Sequence, residues 1–278
     1  MDGAKDTRME FLYDLYRAGY NVFTFDLRGH GESDIVPMGA GQHEQRDVQG
    51  AIDLLIEDKK AKSIGLIGIS LGGAIVILSG DDPSVVAVIA DSSFASIPEL
   101  MEQEVSARTS LPPFGVSLLK PGLILGARWF KGVDLLGVSP QRFVSKIKFP
   151  IALIHCKDSE RVPIGHAERI QKNMPERSKS LIVSGCDHGG AYDYDKGKYL
   201  TFVFNYLEER FGELWGHGLS MNDLDEDQRY WREQWMETRS KVLDNGNSNL
   251  RAAQNEISQY TLSWNRYVTN FYWNNEES

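Results

Sequence analysis

The chain has 278 residues, 41% of them hydrophobic and 25% charged, with a formal net charge of -9 at pH 7. That length suits one α/β domain with an appendage, and the acidic balance argues against a surface for nucleic acid or anionic membrane. Two cysteines, Cys156 and Cys186, are too few for a disulfide framework; a single bridge between them is geometrically possible, and free thiols are the expectation.

Met1-Asp2-Gly3-Ala4-Lys5-Asp6 does not read as a signal peptide, and nothing in the chain assigns a compartment. From Asp6 to Ala18, apolar Met9, Phe11, Leu12, Leu15 and Tyr16 recur at helical spacing, and Gly19 stops the helix. Asn21 to Asp26 reads as a strand of β-branched and aromatic residues, Leu27 to Gly41 as a Gly-rich loop. His43 to Lys59 carries Val48, Ala51, Ile52 and Leu55 on one helical face. The apolar run Ser63-Ile64-Gly65-Leu66-Ile67 then leads straight into Gly68-Ile69-Ser70-Leu71-Gly72 and an apolar helix from Ala74 to Leu78. A G-x-S-x-G between a buried strand and a helix is a nucleophile elbow. Its strained turn lifts Ser70 to the head of the helix, where the N-terminus favours developing negative charge. Glycines two before and two after are expected to leave room for the turn.

Asp81-Asp82-Pro83 is a turn, and Val85 to Ala90 an apolar strand ending at Asp91. Ile97 to Lys148 breaks the rhythm: it is helical, punctuated by Pro and Gly, and sits between two strands, as a lid insertion does. Its Leu118, Leu119, Leu123, Ile124, Leu125, Trp129 and Phe130 either line a greasy substrate pocket or pack on the body. The longest apolar stretch, Phe114 to Phe130, is interrupted by Lys120-Pro121-Gly122 and is too short to span a bilayer. Pro150 to His155 and Ser180 to Ser184 are two more strands, followed by helices at about Pro163–Lys172 and Lys196–Phe211. Continuous apolar strands alternating with helices predict an α/β fold, a mostly parallel sheet flanked by helices. Residues 1–96 and 149–212 form its core and 97–148 the lid. Residues 213–278 form an extension with 11 acidic and 6 basic side chains and five of the six tryptophans. There, 223–242 and 249–273 show helical periodicity around the turn Asp244-Asn245-Gly246-Asn247-Ser248, which predicts a helical hairpin able to dock on the body or on a protein partner.

A serine nucleophile needs a base within hydrogen-bond reach and an acid to orient that base. Of six histidines, His188 follows the last strand in Ser184-Gly185-Cys186-Asp187-His188-Gly189-Gly190, which brings it to the same carboxyl edge of the sheet as Ser70. It is the predicted base. His30 is expected to support the site from behind, His155 to be structural, and His43, His166 and His217 to lie on the surface.

The stretch Phe25-Asp26-Leu27-Arg28-Gly29-His30-Gly31-Glu32-Ser33, with the elbow and the Gly-x-x-His-Gly ending, resembles the α/β-hydrolase superfamily, in its branch of serine aminopeptidases, lysophospholipases and related esterases. The resemblance covers roughly residues 1 to 211. It implies a triad acid in a motif similar to H-G-x-x-D-x-x-V-P, here His155-Cys156-Lys157-Asp158-Ser159-Glu160-Arg161-Val162-Pro163. Ser159 occupies the acid position, with Asp158 one residue early and Glu160 one late. Asp158 is the expected acid through a local shift of the loop; Asp91 is an alternative, and a site with no acid is a third. In that last case Ser159→Asp should raise activity. The resemblance also implies strands before residue 1, with Met1-Asp2-Gly3 as the remains of a loop, so the chain reads as an N-terminally incomplete α/β-hydrolase fold. Either it is a fragment of a longer protein, which is the expectation, or the strand at 21–26 pairs directly with the elbow strand.

These readings predict a serine hydrolase that cleaves a carboxylic ester with an apolar acyl group, with a lysophospholipid-like ester or an amide left open, through an acyl-enzyme. Ser70 is the nucleophile, His188 the base and Asp158 the acid, with the N–H groups of Leu71 and Met1 as oxyanion donors. No metal or organic cofactor is implied. The rival expectation is a catalytically impaired hydrolase-like domain that binds a partner through its C-terminal hairpin.

Overall fold

A computed structural model describes residues 8–18, 20–109 and 113–215. The chain divides into two compact units, and the described part of the first begins with helix α1 (Met9–Arg17), which buries Phe11 and Leu15, one turn apart. The expected strand at 21–26 is not one: the segment pairs with no strand among the described residues, although the rings of Phe23 and Phe25 stack at 5.9 Å. Its β-branched and aromatic content is a preference for a pleated, half-buried surface, and that preference alone does not make a strand without a neighbouring ladder. The predicted hairpin at 223–273 and the oxyanion donor Met1 lie outside the described residues, and the first three residues of the predicted extension continue the helix Lys196–Trp215.

The second unit is the α/β body. Its elements run α2 (Gln45–Glu57), β1 (Ile64–Ile69), α3 (Leu71–Leu78), β2 (Val85–Asp91), α4 (Ile97–Arg108), α5 (Pro113–Lys131), α6 (Pro140–Phe143), β3 (Ala152–Cys156), α7 (Gly165–Gln171), β4 (Lys179–Val183), α8 (Ala191–Tyr194) and α9 (Lys196–Trp215). The four strands form one parallel sheet in the order β1-β2-β3-β4. The register sets Ile69 beside Asp91, Asp91 beside Ile154 and Ile154 beside Leu181. The carboxyl ends of all the strands therefore share one edge, where open α/β sheets place their ligands. The inner strands are fully buried, with Ala87 to Ala90 and Ile151 to Ile154 at 0% exposure, as expected for parallel strands covered on both faces.

Helix α9 closes one face through Tyr199, Val203, Tyr206 and Leu207, all buried. Tyr206 has a second role: its hydroxyl accepts the N–H of Val88 at 3.0 Å and donates to the carbonyl of Pro150 at 2.9 Å. The β2–β3 ladder begins only at Ile89 and Ala152, so this phenol satisfies two backbone groups just short of it.

Helices α4 and α5 make up most of the predicted lid. Glu102 of α4 holds α5 through Ser117 and Lys120, the lysine at 2.9 Å. Val116 of α5 is buried and Ile124 half-buried, but Leu118, Leu119, Leu125, Trp129 and Phe130 are exposed, Trp129 to 81% and Phe130 to 84%. Leu123 and Ile124, with Val116, line a small cavity against Pro98 and Met101 of α4, and Ile124 also packs on the core cluster, while the five exposed side chains face solvent among the described residues. Among the described residues, no helix is long and apolar enough to cross a membrane.

Tyr206→Phe tests the bridge at the start of the β2–β3 ladder. Removing the hydroxyl leaves a buried N–H without its acceptor, at an expected cost of about 1–3 kcal/mol, read as a lower urea midpoint with unchanged circular dichroism.

Candidate active site

The elbow is built by close backbone approach. Ser70 sits at φ 58°, ψ -115°, between β1 and the first residue of α3, a conformation that costs a non-glycine residue on the order of 1–3 kcal/mol. Its N–H donates to the carbonyl of Asp91 at 2.8 Å, which ties the turn to the end of β2. A Cβ on residue 68 would lie 2.2 Å from the carbonyl oxygen of Gly72, and one on residue 73 would lie 2.7 Å from that of Asp91. A Cβ on residue 72 would meet nothing within 4 Å. The steric need therefore falls on Gly68 and Gly73, and the second glycine of the motif, Gly72, is not required for space. Leu71 opens α3, at a position whose N–H finds no carbonyl partner within its own helix.

His188, on the loop after β4, brings Nε2 to 2.8 Å from Ser70 Oγ. The two residues are 118 apart in sequence and meet because both leave the carboxyl edge of the sheet. Burial, with Arg161 and His155 nearby, pushes the imidazole down to about 4, against the opposing pull of Asp187 and Glu104. His188 is therefore a neutral base at pH 7, able to accept a proton from Ser70.

The structure corrects the expected acid. Asp158 does not reach His188; its carboxylate accepts the N–H of Gly185 at 2.6 Å. The side chain that meets Nδ1 of His188 belongs to the residue in the motif's own position: Ser159 Oγ lies 3.4 Å away and also accepts the N–H of Val162 at 3.2 Å. No carboxylate of the described residues bonds the ring. Asp91, the alternative, is fully buried, and its oxygens take the hydroxyls of Ser92 at 2.8 Å and Tyr199 at 3.1 Å. It acts on the base loop at one remove, because Ser92 Oγ also accepts the N–H of Gly189 at 3.1 Å. Sequence reasoning missed Ser92; its position right after a strand-end aspartate was the only available sign.

The acid loop and the base loop are fastened together. Cys156, the last residue of β3, is disulfide-bonded to Cys186, two residues before His188. The expectation of free thiols is thus overturned: adjacent strands bring the Cα atoms to 5.5 Å, inside the range a disulfide spans. Asp158 on Gly185, and the Glu160 N–H on Asp187 Oδ1 at 3.4 Å, add polar links between the same loops.

The Gly-rich loop after residue 26 is anchored by Arg28, whose guanidinium takes Asp47 of α2 in a fork, Nη2 to Oδ1 at 2.6 Å and Nε to Oδ2 at 2.9 Å. Asp47 was not singled out from sequence, although an arginine fixed in a loop calls for a carboxylate in the next helix. His30 stays within its own loop, with Nδ1 3.1 Å from the carbonyl of Arg28. His155 is structural as expected, its Nε2–H donating to Val162 O at 2.8 Å. His43 is half-buried and His217 lies outside the described residues. His166 is not a surface residue: it is fully buried, accepts the N–H of Ala95 at Nδ1 (3.0 Å) and bonds Gln103 through Nε2 (2.8 Å). Burial, then Arg169 and His155, push it down to about 4. Among the described residues no group of three His, Cys, Asp or Glu side chains is set to hold a metal ion.

With this geometry in view, comparison with solved structures gives the chain the fold of the α/β hydrolases. The family model described as serine aminopeptidase, S33, matches residues 6–112, a span that contains the Arg28 loop and the elbow. The chain is similar to the Bacillus subtilis (strain 168) protein YqkD, 27% identical over 209 residues, which cover 72% of this chain and 66% of that one. It is also similar to the Escherichia coli (strain K12) protein YfhR, 29% identical over 203 residues, covering 69% of this chain and 63% of the other. The matches thus span just under two thirds of these relatives' own length. Among solved structures, the Pyrococcus furiosus esterase Pf2001 superposes with a TM-score of 0.58 at 22% identity, over 75% of this chain and 79% of that one, a likeness of fold.

Two predictions follow from the buried groups. His166 and His188 are neutral in the fold yet ionise near 6.5 when unfolded, so the unfolded chain binds more protons between about pH 6.5 and 4. Stability is complete above that window and falls as pH drops through it; urea midpoints at pH 7 and 4.5 check this, and His166→Gln should flatten part of the fall. Cys186→Ala, which opens a link between residues 30 apart in sequence, should lower the unfolding free energy by about 3 kcal/mol, measured by urea denaturation.

Proposed function

We propose that this chain is a serine hydrolase acting on carboxylic esters. The observation that carries the reading is the 2.8 Å contact between His188 Nε2 and the hydroxyl of a serine held at positive φ at the head of α3. Ser70 Oγ attacks the carbonyl carbon as Nε2 of His188 takes its proton. The tetrahedral oxyanion forms beside the first turn of α3, within reach of the Leu71 N–H. His188 then gives the proton to the departing alkoxide, which leaves as the alcohol, and the acyl group remains on Ser70. Water, deprotonated by His188, attacks that ester and releases the carboxylic acid, restoring the serine.

For the acyl group we propose an apolar chain, and the support is the apolar character of the residues beside the serine, which are themselves packed as core. Leu71, the residue after Ser70, joins a cluster of Ala74, Phe94, Leu135 and Val162 that draws together the elbow helix, the segment after β2 and the acid loop. The name of Pf2001 as an esterase supports an ester as the substrate and says nothing of its acyl group. One observation favours the rival reading, an impaired hydrolase-like domain: no carboxylate of the described residues bonds His188.

A fluorophosphonate probe separates the two. The wild-type chain, folded by circular dichroism, should be labelled at Ser70, and Ser70→Ala should abolish labelling and lower ester hydrolysis by at least about 10³-fold. A folded sample that takes no label sinks the hydrolase reading.

A further inference from the structure

We propose that Ser159 is the positioning residue of this site: its hydroxyl accepts the Nδ1–H of His188 and turns Nε2 toward Ser70, so a neutral group does the work of the triad carboxylate and the base stays available in mildly acid solution. The proposal rests on the serine-hydrolase reading and deepens it.

The contact is built into the fold. Ser159 is 5% exposed, and its N–H closes a turn onto the carbonyl of Cys156 at 3.2 Å. Cys156 is bonded to Cys186 on the loop that carries His188, so the two contacting residues hang from the two ends of one covalent link. A serine oxygen offers two lone pairs and one proton. The Val162 N–H at 3.2 Å takes one lone pair and fixes the side chain; the other remains for Nδ1 at 3.4 Å. That separation is longer than an ideal bond, as catalytic contacts commonly are before substrate tightens them.

The exchange of carboxylate for hydroxyl has two chemical consequences. A carboxylate only accepts, so it admits the Nδ1–H tautomer alone, whereas a hydroxyl can also donate and holds the productive tautomer less strictly. A carboxylate also stabilises the imidazolium as it forms, and a neutral hydroxyl does so only as a dipole. The charged and titratable groups around His188 do not make up the difference. Arg161 and the neighbouring His155 disfavour its charging, while Asp187 and Glu104 favour it. Glu104 is itself paired with Arg161 at 3.4 Å, and Asp187 Oδ1 faces the Glu160 N–H. The site therefore gives up rate at neutral pH and keeps its base unprotonated further into acid.

The test is the pH dependence of kcat and KM for ester hydrolysis by the wild type and by Ser159→Ala, Ser159→Thr and Ser159→Asp. Ser159→Ala should lose kcat by about tenfold, the value of one neutral hydrogen bond, with KM unchanged, and Ser159→Thr should retain it. Ser159→Asp should raise kcat and move the acid limb of kcat/KM up by about one pH unit or more. Equal kcat and equal pH limbs in wild type and Ser159→Ala overturn the proposal, as does a loss in Ser159→Ala matched by Ser159→Thr and Ser159→Asp. Imidazole ¹⁵N NMR of His188 decides the matter without turnover: Nδ1–H should dominate in wild type and give way to a mixture in Ser159→Ala, and identical spectra reject the role. A chain that takes no fluorophosphonate at Ser70 thus fails the hydrolase reading, while the NMR comparison still judges Ser159.

Discussion

Helix α3 approaches the ends of β1 and β2 so closely that side-chain atoms would be in the way at two positions, Gly68 and Gly73. From that approach comes the turn that holds Ser70 at positive φ, bonded through its N–H to Asp91. The same approach stacks the buried face of α3, Gly73 to Leu78, on the sheet. The position of Ser70 is thus a by-product of packing, set by backbone contacts that no flexible side chain can relax.

Around that fixed point the remaining parts are assembled by links between neighbouring strand ends. Asp91 leads to Ser92 and on to Gly189, the residue after the base. Cys156 leads to Cys186, two residues before it. The base loop is gripped on both sides of His188, once by a hydrogen-bond chain from β2 and once by a covalent bond from β3. Such a grip suits a site whose third member is a weak orienting group, because the imidazole is held by its loop as well as by its hydrogen bond.

What could be read in the sequence followed the range of the interactions involved. The elbow is a local pattern of strand, turn and helix, and His188 lies just past the last apolar run, so both were legible from short windows. Asp158 was not excluded, because the choice between residues 158 and 159 depends on Gly185, 27 residues away, which claims the Asp158 carboxylate. The strand expected at 21–26 misled because composition reports a preference and not a partner. His166 lies on a short helix that looked exposed; the residues it bonds, Ala95 and Gln103, are 71 and 63 residues away in sequence, just before the lid insertion and within it. The disulfide depended on strand adjacency, and the apolar residues of α5 gave no sign of which would face solvent.

The strained backbone at Ser70 has a consequence for how the protein tolerates change. A glycine at that position would adopt the same turn without penalty, so the fold taken alone favours losing the side chain. Serine there is held against a gradient of stability. On the hydrolase reading proposed above, selection for robustness runs opposite to selection for chemistry at this residue, and a library screened only for thermal resistance should drift toward a sturdier relative of the same shape without that serine.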